Sequence, residues 1–124
     1  SSGAALRVRG LGHGAVGVTR TIYGGGIDAS ATPKACYGPD EAQDVADAAA
    51  ICRSLGIPHR VVDLRDAYRT HVMDYFRREY LAGRTPNPCV RCNQYVKFGL
   101  LVERLSAEAG LAFDSFATGH YARI

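Results

Sequence analysis

Residues Ala15 to Tyr23 read Ala-Val-Gly-Val-Thr-Arg-Thr-Ile-Tyr, a β-rich run in which Val16, Val18 and Ile22 suit a half-buried strand. The fold class turns on the residues that come after this run. Gly24 to Gly38 is rich in small residues and proline and has no periodicity, so it reads as a loop. Gly38-Pro39-Asp40-Glu41 opens a helix, because proline suits a first turn and acids favour its positive end. Ala42, Val45, Ala46, Ala49 and Cys52 keep helical spacing until Gly56 ends the element. His59 to Leu64, with Val61 and Val62, is the next strand. Strand, helix and strand in that order imply a parallel α/β unit.

The pattern continues outward. Asp66 to Ala82 reads as a second helix with Tyr68, Val72, Tyr75, Phe76 and Tyr80 on one side, closed by Gly83. That aromatic stripe is expected in the core rather than as a base-stacking platform. Asn93 to Ala109 is a third helix, with Phe98, Leu101, Val102, Leu105 and Ala109 on its apolar face and Gly110 as its cap. Phe113 to Ala122 contains a last strand. The expected fold is α/β, an open, mostly parallel sheet with helices on both faces. Ligands of such sheets bind beyond the carboxyl ends of strands, where Thr118 to Tyr121 would lie.

Between the second and third helices stands Gly-Arg-Thr-Pro-Asn-Pro-Cys-Val-Arg-Cys-Asn-Gln-Tyr-Val-Lys-Phe, residues 83–98. Pro86 and Pro88 fix φ at two positions and push Thr85 and Asn87 out of the α region. Cys92 is expected at or beside a helix N-terminus, where unpaired N–H groups favour an anion. Arg84, Arg91 and Lys97 add positive charge, and each influence favours thiolate over thiol. The chain has four cysteines, Cys36, Cys52, Cys89 and Cys92. Cys52 falls on a helix's apolar face and reads as a buried thiol. That leaves Cys89 and Cys92 as redox, catalytic or metal-binding residues. Structural zinc wants four ligands; this pair gives two, Cys36 could give a third, and no clear fourth appears.

At 124 residues the chain makes one domain with a single core. With 47% apolar and 22% charged residues it is an ordinary globular sequence rather than a disordered one. The net charge of +3 permits nucleic-acid binding without demanding it. No run has the length of a membrane span or the pattern of a signal peptide, so a cytoplasmic protein without membrane partners is the expectation.

Residues 83–98 closely resemble the signature of the tRNA-specific 2-thiouridylases, ATP-pyrophosphatase enzymes that replace the C2 oxygen of the wobble uridine with sulfur. Leu55-Gly56-Ile57-Pro58-His59 resembles the family's approach to its next strand. Ala117-Thr118-Gly119-His120-Tyr121-Ala122-Arg123 resembles the strand end that helps bind ATP, and Ala15 to Thr19 the second strand of the nucleotide domain. The resemblance implies that residues 1–124 are a partial phosphate-loop nucleotide-binding domain of the adenine nucleotide alpha hydrolase type. In that register Ser1 and Ser2 fall on the last two serines of the family's Ser-Gly-Gly-Val-Asp-Ser-Ser loop, which opens the first helix. The sheet's first strand and the rest of the loop would precede residue 1. Ser1-Ser2-Gly3 also reads as a cloning scar. Residues 24–30 match a phosphate loop loosely, but no helix is expected after them.

By the same resemblance, Cys92 is the catalytic thiol that attacks or relays sulfur. Asn87, Pro88 and Cys89 match the segment that contacts the target base, and Arg84, Arg91 and Lys97 would track tRNA phosphates. Arg77 and Arg78 read better as a solvated helix face. Gly119 and His120 resemble ATP contacts; a structural role for His120 stays open. Arg20 stands where the family often places Met against adenine, and it reads equally well as an exposed strand-edge arginine. ATP with Mg²⁺, tRNA and a sulfur-relay protein carrying a persulfide are implied. An iron–sulfur cluster on Cys89 and Cys92 would need the family's downstream cysteine. That cysteine and the family's tRNA-binding domains would lie beyond residue 124, so the chain alone is expected to be inactive. Two other readings remain: a non-catalytic module binding tRNA or a sulfur carrier, and a metal-binding structural domain built on the Cys-x-x-Cys pair.

Overall fold

The computed structural model describes residues 2–25, 37–108 and 111–120. Helix α1 (Ser2–Gly10) opens the chain and packs against α2 (Glu41–Leu55). Strands β1 (Gly17–Thr21) and β2 (His59–Asp63) pair in parallel, with Gly17 opposite His59 and Thr21 opposite Asp63. Helix α3 spans residues 65–81: it is α-helical over Arg65–Tyr68, π-helical over Arg69–Met73 and α-helical again over Asp74–Leu81. Helix α4 spans residues 88–107, with a π-helical stretch Cys92–Leu100 between Pro88–Arg91 and Leu101–Ala107.

Helices cover both faces of the strand pair, as expected. On one face α2 comes so close to Gly17 that a Cβ there would lie 2.2 Å from Cys52 Sγ. Cys52 is buried and a free thiol, matching its apolar reading. On the other face Val18 and Val62 pack against a cluster of Ile22, Leu64, Tyr68, Val72, Cys92, Val96, Leu101 and Leu105. Alternation along the strand puts Val18, Arg20 and Ile22 on this face together. Arg104 Nη1 donates to the carbonyl of Asp63 at 3.4 Å and ties α4 to the end of β2.

The expected ends of α2 hold. Gly56 adopts φ 61°, and its N–H and that of Ile57 return to Arg53 and Cys52 carbonyls at 3.0 Å each, closing the helix. At the other end Glu41 does more than favour the helix dipole. Its carboxylate accepts from the backbone N–H of Ile22 at 2.6 Å and of Tyr23 at 3.0 Å, holding the chain as it leaves β1.

Three expectations need correction. First, α4 starts at Pro88, not at Asn93. Asn87 is extended (φ −109°, ψ 99°), its Oδ1 accepts from Val90 N–H at 3.2 Å, and Pro88 takes the first helical position. An Asn-Pro pair is thus a cap and a helix start, not only a stiff loop. Second, residues 111–120 form no strand. Thr118 Oγ1 accepts from His120 N–H at 3.1 Å and meets His120 Nδ1 at 2.6 Å, a local turn that competes with a strand ladder. Third, the apolar face of α4 runs through Cys92, Val96, Leu101 and Leu105, while Phe98 is exposed. Spacings of four, five and four residues suit the wider i→i+5 turns of a π segment, which rotate Phe98 outward. The cap expected at Gly110, with Ala109, lies outside the described residues.

Candidate nucleotide and thiol site

Beyond the carboxyl ends of β1 and β2 lies a cleft of about 480 Å³ whose lining includes Gly24, Tyr37, Asp63, Arg65, Tyr68 and Arg69. This is where an open parallel sheet presents ligands. Tyr37 stacks on Tyr68 with centroids 5.1 Å apart and 15° between planes, and Tyr23 meets Tyr37 edge-on at 5.2 Å. The aromatic wall thus stands over charged groups. Asp63 Oδ1 accepts from the backbone N–H of Arg65 at 3.0 Å and from its Nε at 2.9 Å, and Arg65 Nη2 also donates to Oδ2. These bonds from Arg65 hold the Asp63 carboxyl down at about 2, below its ordinary 3.8, and raise the Arg65 guanidinium in return. Arg69 pairs with Asp66 at 3.3 Å.

The cysteine loop forms a second centre. Cys89, in the first turn of α4, is exposed. Cys92 is 5% exposed and belongs to the apolar cluster. Its expected place at the helix N-terminus is corrected by the earlier start of α4: the open N–H groups belong to the turn that carries Cys89. The two thiols therefore face different surroundings. Among the described residues no group of three or more His, Cys, Asp or Glu comes together.

Charges expected to meet phosphate are partly engaged within the chain. Arg91 lies between the rings of Tyr75 and Tyr95, its guanidinium carbon 4.3 and 4.1 Å from their centroids, and its Nε is buried without a hydrogen bond. His71 extends the stack on Tyr95 at 5.8 Å. Arg84 is bound to Glu79 through Nε at 2.5 Å and Nη2 at 2.8 Å; this bond lowers the Glu79 carboxyl and raises the Arg84 guanidinium. Asn87 caps α4 and Pro88 starts it. Lys97 is half-buried on the π segment.

The expected ATP contacts are scattered. Ser2 is exposed at the start of α1; Ser1 lies outside the described residues. Arg20 is half-buried with Nε lacking a partner, not a freely solvated edge residue. Gly119 and His120 are exposed, and the His120 ring lies 5.6 Å from Phe98 on α4. That contact sets them beside α4 rather than at the end of a strand. Cys36, most of the 24–30 loop and Tyr121 to Arg123 lie outside the described residues. The sequence reading missed Glu41, Asp63, Arg65, Tyr37 and Tyr68. Asp63-Leu64-Arg65, at the end of β2, is the signal that could have found Asp63 and Arg65; Glu41, Tyr37 and Tyr68 join them through tertiary packing.

Comparison with known proteins adds the relatives of this arrangement. The tRNA-specific 2-thiouridylase MnmA of Acidithiobacillus ferrooxidans is 45% identical over all 124 residues, which cover 31% of its own length. That of Tropheryma whipplei is 44% identical over the whole chain, 32% of its length, and that of Nostoc sp. 56% identical over 78 residues, 63% of the chain and 22% of the relative. The chain thus spans about a third or less of these relatives. A family model described as the tRNA methyl transferase HUP domain matches residues 1–124. The strand-end cleft, the cysteine loop and this end-to-end match have one conclusion: the chain belongs to the tRNA methyl transferase HUP domain family.

Proposed function

We propose that this chain is the nucleotide-handling part of a cytoplasmic enzyme that uses ATP to convert the wobble uridine of tRNA to 2-thiouridine. One observation carries the reading: 45% identity, across every residue, to a protein named as a tRNA-specific 2-thiouridylase. The family description speaks of methyl transfer, but the curated relatives that span the whole chain are named for thiolation. No described helix is long and apolar enough to cross a membrane.

In the proposed reaction the uridine C2 oxygen attacks the α-phosphorus of ATP and pyrophosphate leaves. The terminal sulfur of a persulfide, brought by a relay protein, then bonds to C2. AMP departs with the original oxygen. Electron balance requires a thiolate to cleave the remaining S–S bond, leaving sulfur on the base and a disulfide between two cysteines. Cys92 is assigned to that cysteine pair, with Asn87, Pro88 and Cys89 beside the target base. Because its side chain is in the core, reaction requires the first turns of α4 to open. The strand-end cleft would receive the nucleotide; Ser2, Arg20, Gly119 and His120 do not line it, so the ATP contacts proposed for them would be made from outside its present lining. Arg84, Arg91 and Lys97 would face tRNA, with Arg84 and Arg91 first released from Glu79 and the tyrosines.

Mg²⁺ fits this cleft as an ion carried by phosphate oxygens, since Asp63 and Asp66 are each held by an arginine. A cluster on Cys89 and Cys92 does not fit one exposed and one buried thiol, and no step is drawn through it.

The test is a chimera. Residues 1–124 replace the matching segment of the Acidithiobacillus enzyme in cells lacking their own thiolase, and tRNA is digested for nucleoside mass spectrometry. 2-Thiouridine is expected, and is lost with Cys92→Ala. A stable chimera without 2-thiouridine leaves the binding-module reading in its place; thiolation that survives Cys92→Ala removes the role given to this residue.

A further inference from the structure

The aromatic stripe expected in the core divides along α3. Tyr68 and Val72 are buried, whereas Phe76 and Tyr80, one turn apart, are 38% and 66% exposed. Their rings stack on each other at 5.6 Å with 23° between planes. Toward the start of α3 the same face continues through Met73 and Arg69, and both line the strand-end cleft. Toward its end Tyr80 stands just before Gly83, where the cysteine loop begins. One helix face thus joins the cleft to the loop. Arg77 borders it, exposed, with no hydrogen bond or ion pair among the described residues, whereas Arg78, two residues from both Phe76 and Tyr80, lies on the opposite side of the helix. Among the described residues Arg69 is tied only to an exposed aspartate, a weak pair in water.

We propose that the Phe76–Tyr80 face of α3 is a stacking track for unpaired RNA bases, leading them between the cysteine loop and the cleft. This rests on the tRNA reading above and goes beyond it by assigning residues that the loop motif does not include. The chemistry favours nucleic acid over a protein contact. Flat, exposed rings accept any base, and the guanidinium groups of Arg77 beside them and Arg69 on the same face match a phosphate chain. An apolar protein surface would gain nothing from Arg69 and Arg77.

Binding of a fluorescein-labelled oligouridylate to the full chain, read by anisotropy, tests the track. The double variant F76L/Y80L keeps the area apolar and removes both π faces. It should weaken binding at least about tenfold, while Tyr80→Phe stays near wild type. Arg77→Ala should weaken binding and flatten its salt dependence. Circular dichroism melts identify any variant that has failed to fold, and Tyr80→Ser then serves as a second, single change at the most exposed ring. If F76L/Y80L binds like wild type, the face is a general apolar contact and the track is overturned. Absence of oligouridylate binding by the wild-type chain overturns it too. Neither result touches thiolation by the chimera, so the two readings fail separately.

Discussion

Asp63 ends β2, and its carboxylate gathers the backbone N–H and the guanidinium of Arg65, which starts α3. Its folded value, about 2, lies below the ordinary 3.8. A depressed carboxyl contributes stability above its unfolded pKa and loses it as pH falls through the folded one. The junction should therefore be intact at pH 4 and weaken toward pH 2, by a small amount because both partners are solvated. A carboxyl-carbon NMR titration of Asp63 with a midpoint near the ordinary value would contradict the bond network. The two loop thiols make a second residue-level prediction. Iodoacetamide should modify Cys89 first, with Cys92 slower by at least about tenfold, since reaction needs an accessible sulfur. Peptide mass spectrometry over time reads both rates, and equal rates would show that the start of α4 opens freely without substrate.

Among the elements, α4 depends on its first turn. Asn87→Ala removes the acceptor for Val90 N–H and should cost about 1 kcal/mol in urea unfolding, while Asn87→Asp should nearly restore it. A fully stable alanine variant would mean that Pro88 alone starts the helix. The strand–helix contact gives a second case. Gly17→Ala puts a methyl against Cys52 Sγ and should cost about 1–3 kcal/mol. Adding Cys52→Ala removes the clash, so the double variant should be more stable than the sum of its parts. Such particulars show what the sequence discloses. Helix α2 was legible at both ends because Pro39, Glu41 and Gly56 are local signals whose effect does not depend on the rest of the fold. The burial of Cys92 and the exposure of Phe98 were not, because the π segment changes the period on which an apolar face is judged. The stretch at residues 83–98 marked the family, but the engagement of Arg84 and Arg91 depends on Glu79, Tyr75 and Tyr95, which helix turns and tertiary packing bring alongside.

For the whole molecule, the decisive feature is how little sheet the core rests on. Among the described residues β1 is hydrogen-bonded to β2 alone, so the opposite edge of β1 has no strand partner. On the core face of that strand Arg20 Nε is buried without a hydrogen bond. Apolar surface is exposed elsewhere too, at Leu6, Leu11 and Val61. Unpaired backbone along an edge is a template for another strand, and nothing in Gly-Val-Thr-Arg-Thr apart from Arg20 discourages pairing. The net charge of +3 opposes association only weakly at physiological salt. The isolated chain should therefore self-associate as its concentration rises. Sedimentation velocity across the micromolar range should show a growing sedimentation coefficient, and Thr19→Lys, a charge on the edge strand, should reduce it. Embedding the chain in the longer relative should suppress association if neighbouring chain occupies that edge. A strictly monomeric isolated chain at every concentration would mean that the β1 edge is protected and would overturn this prediction.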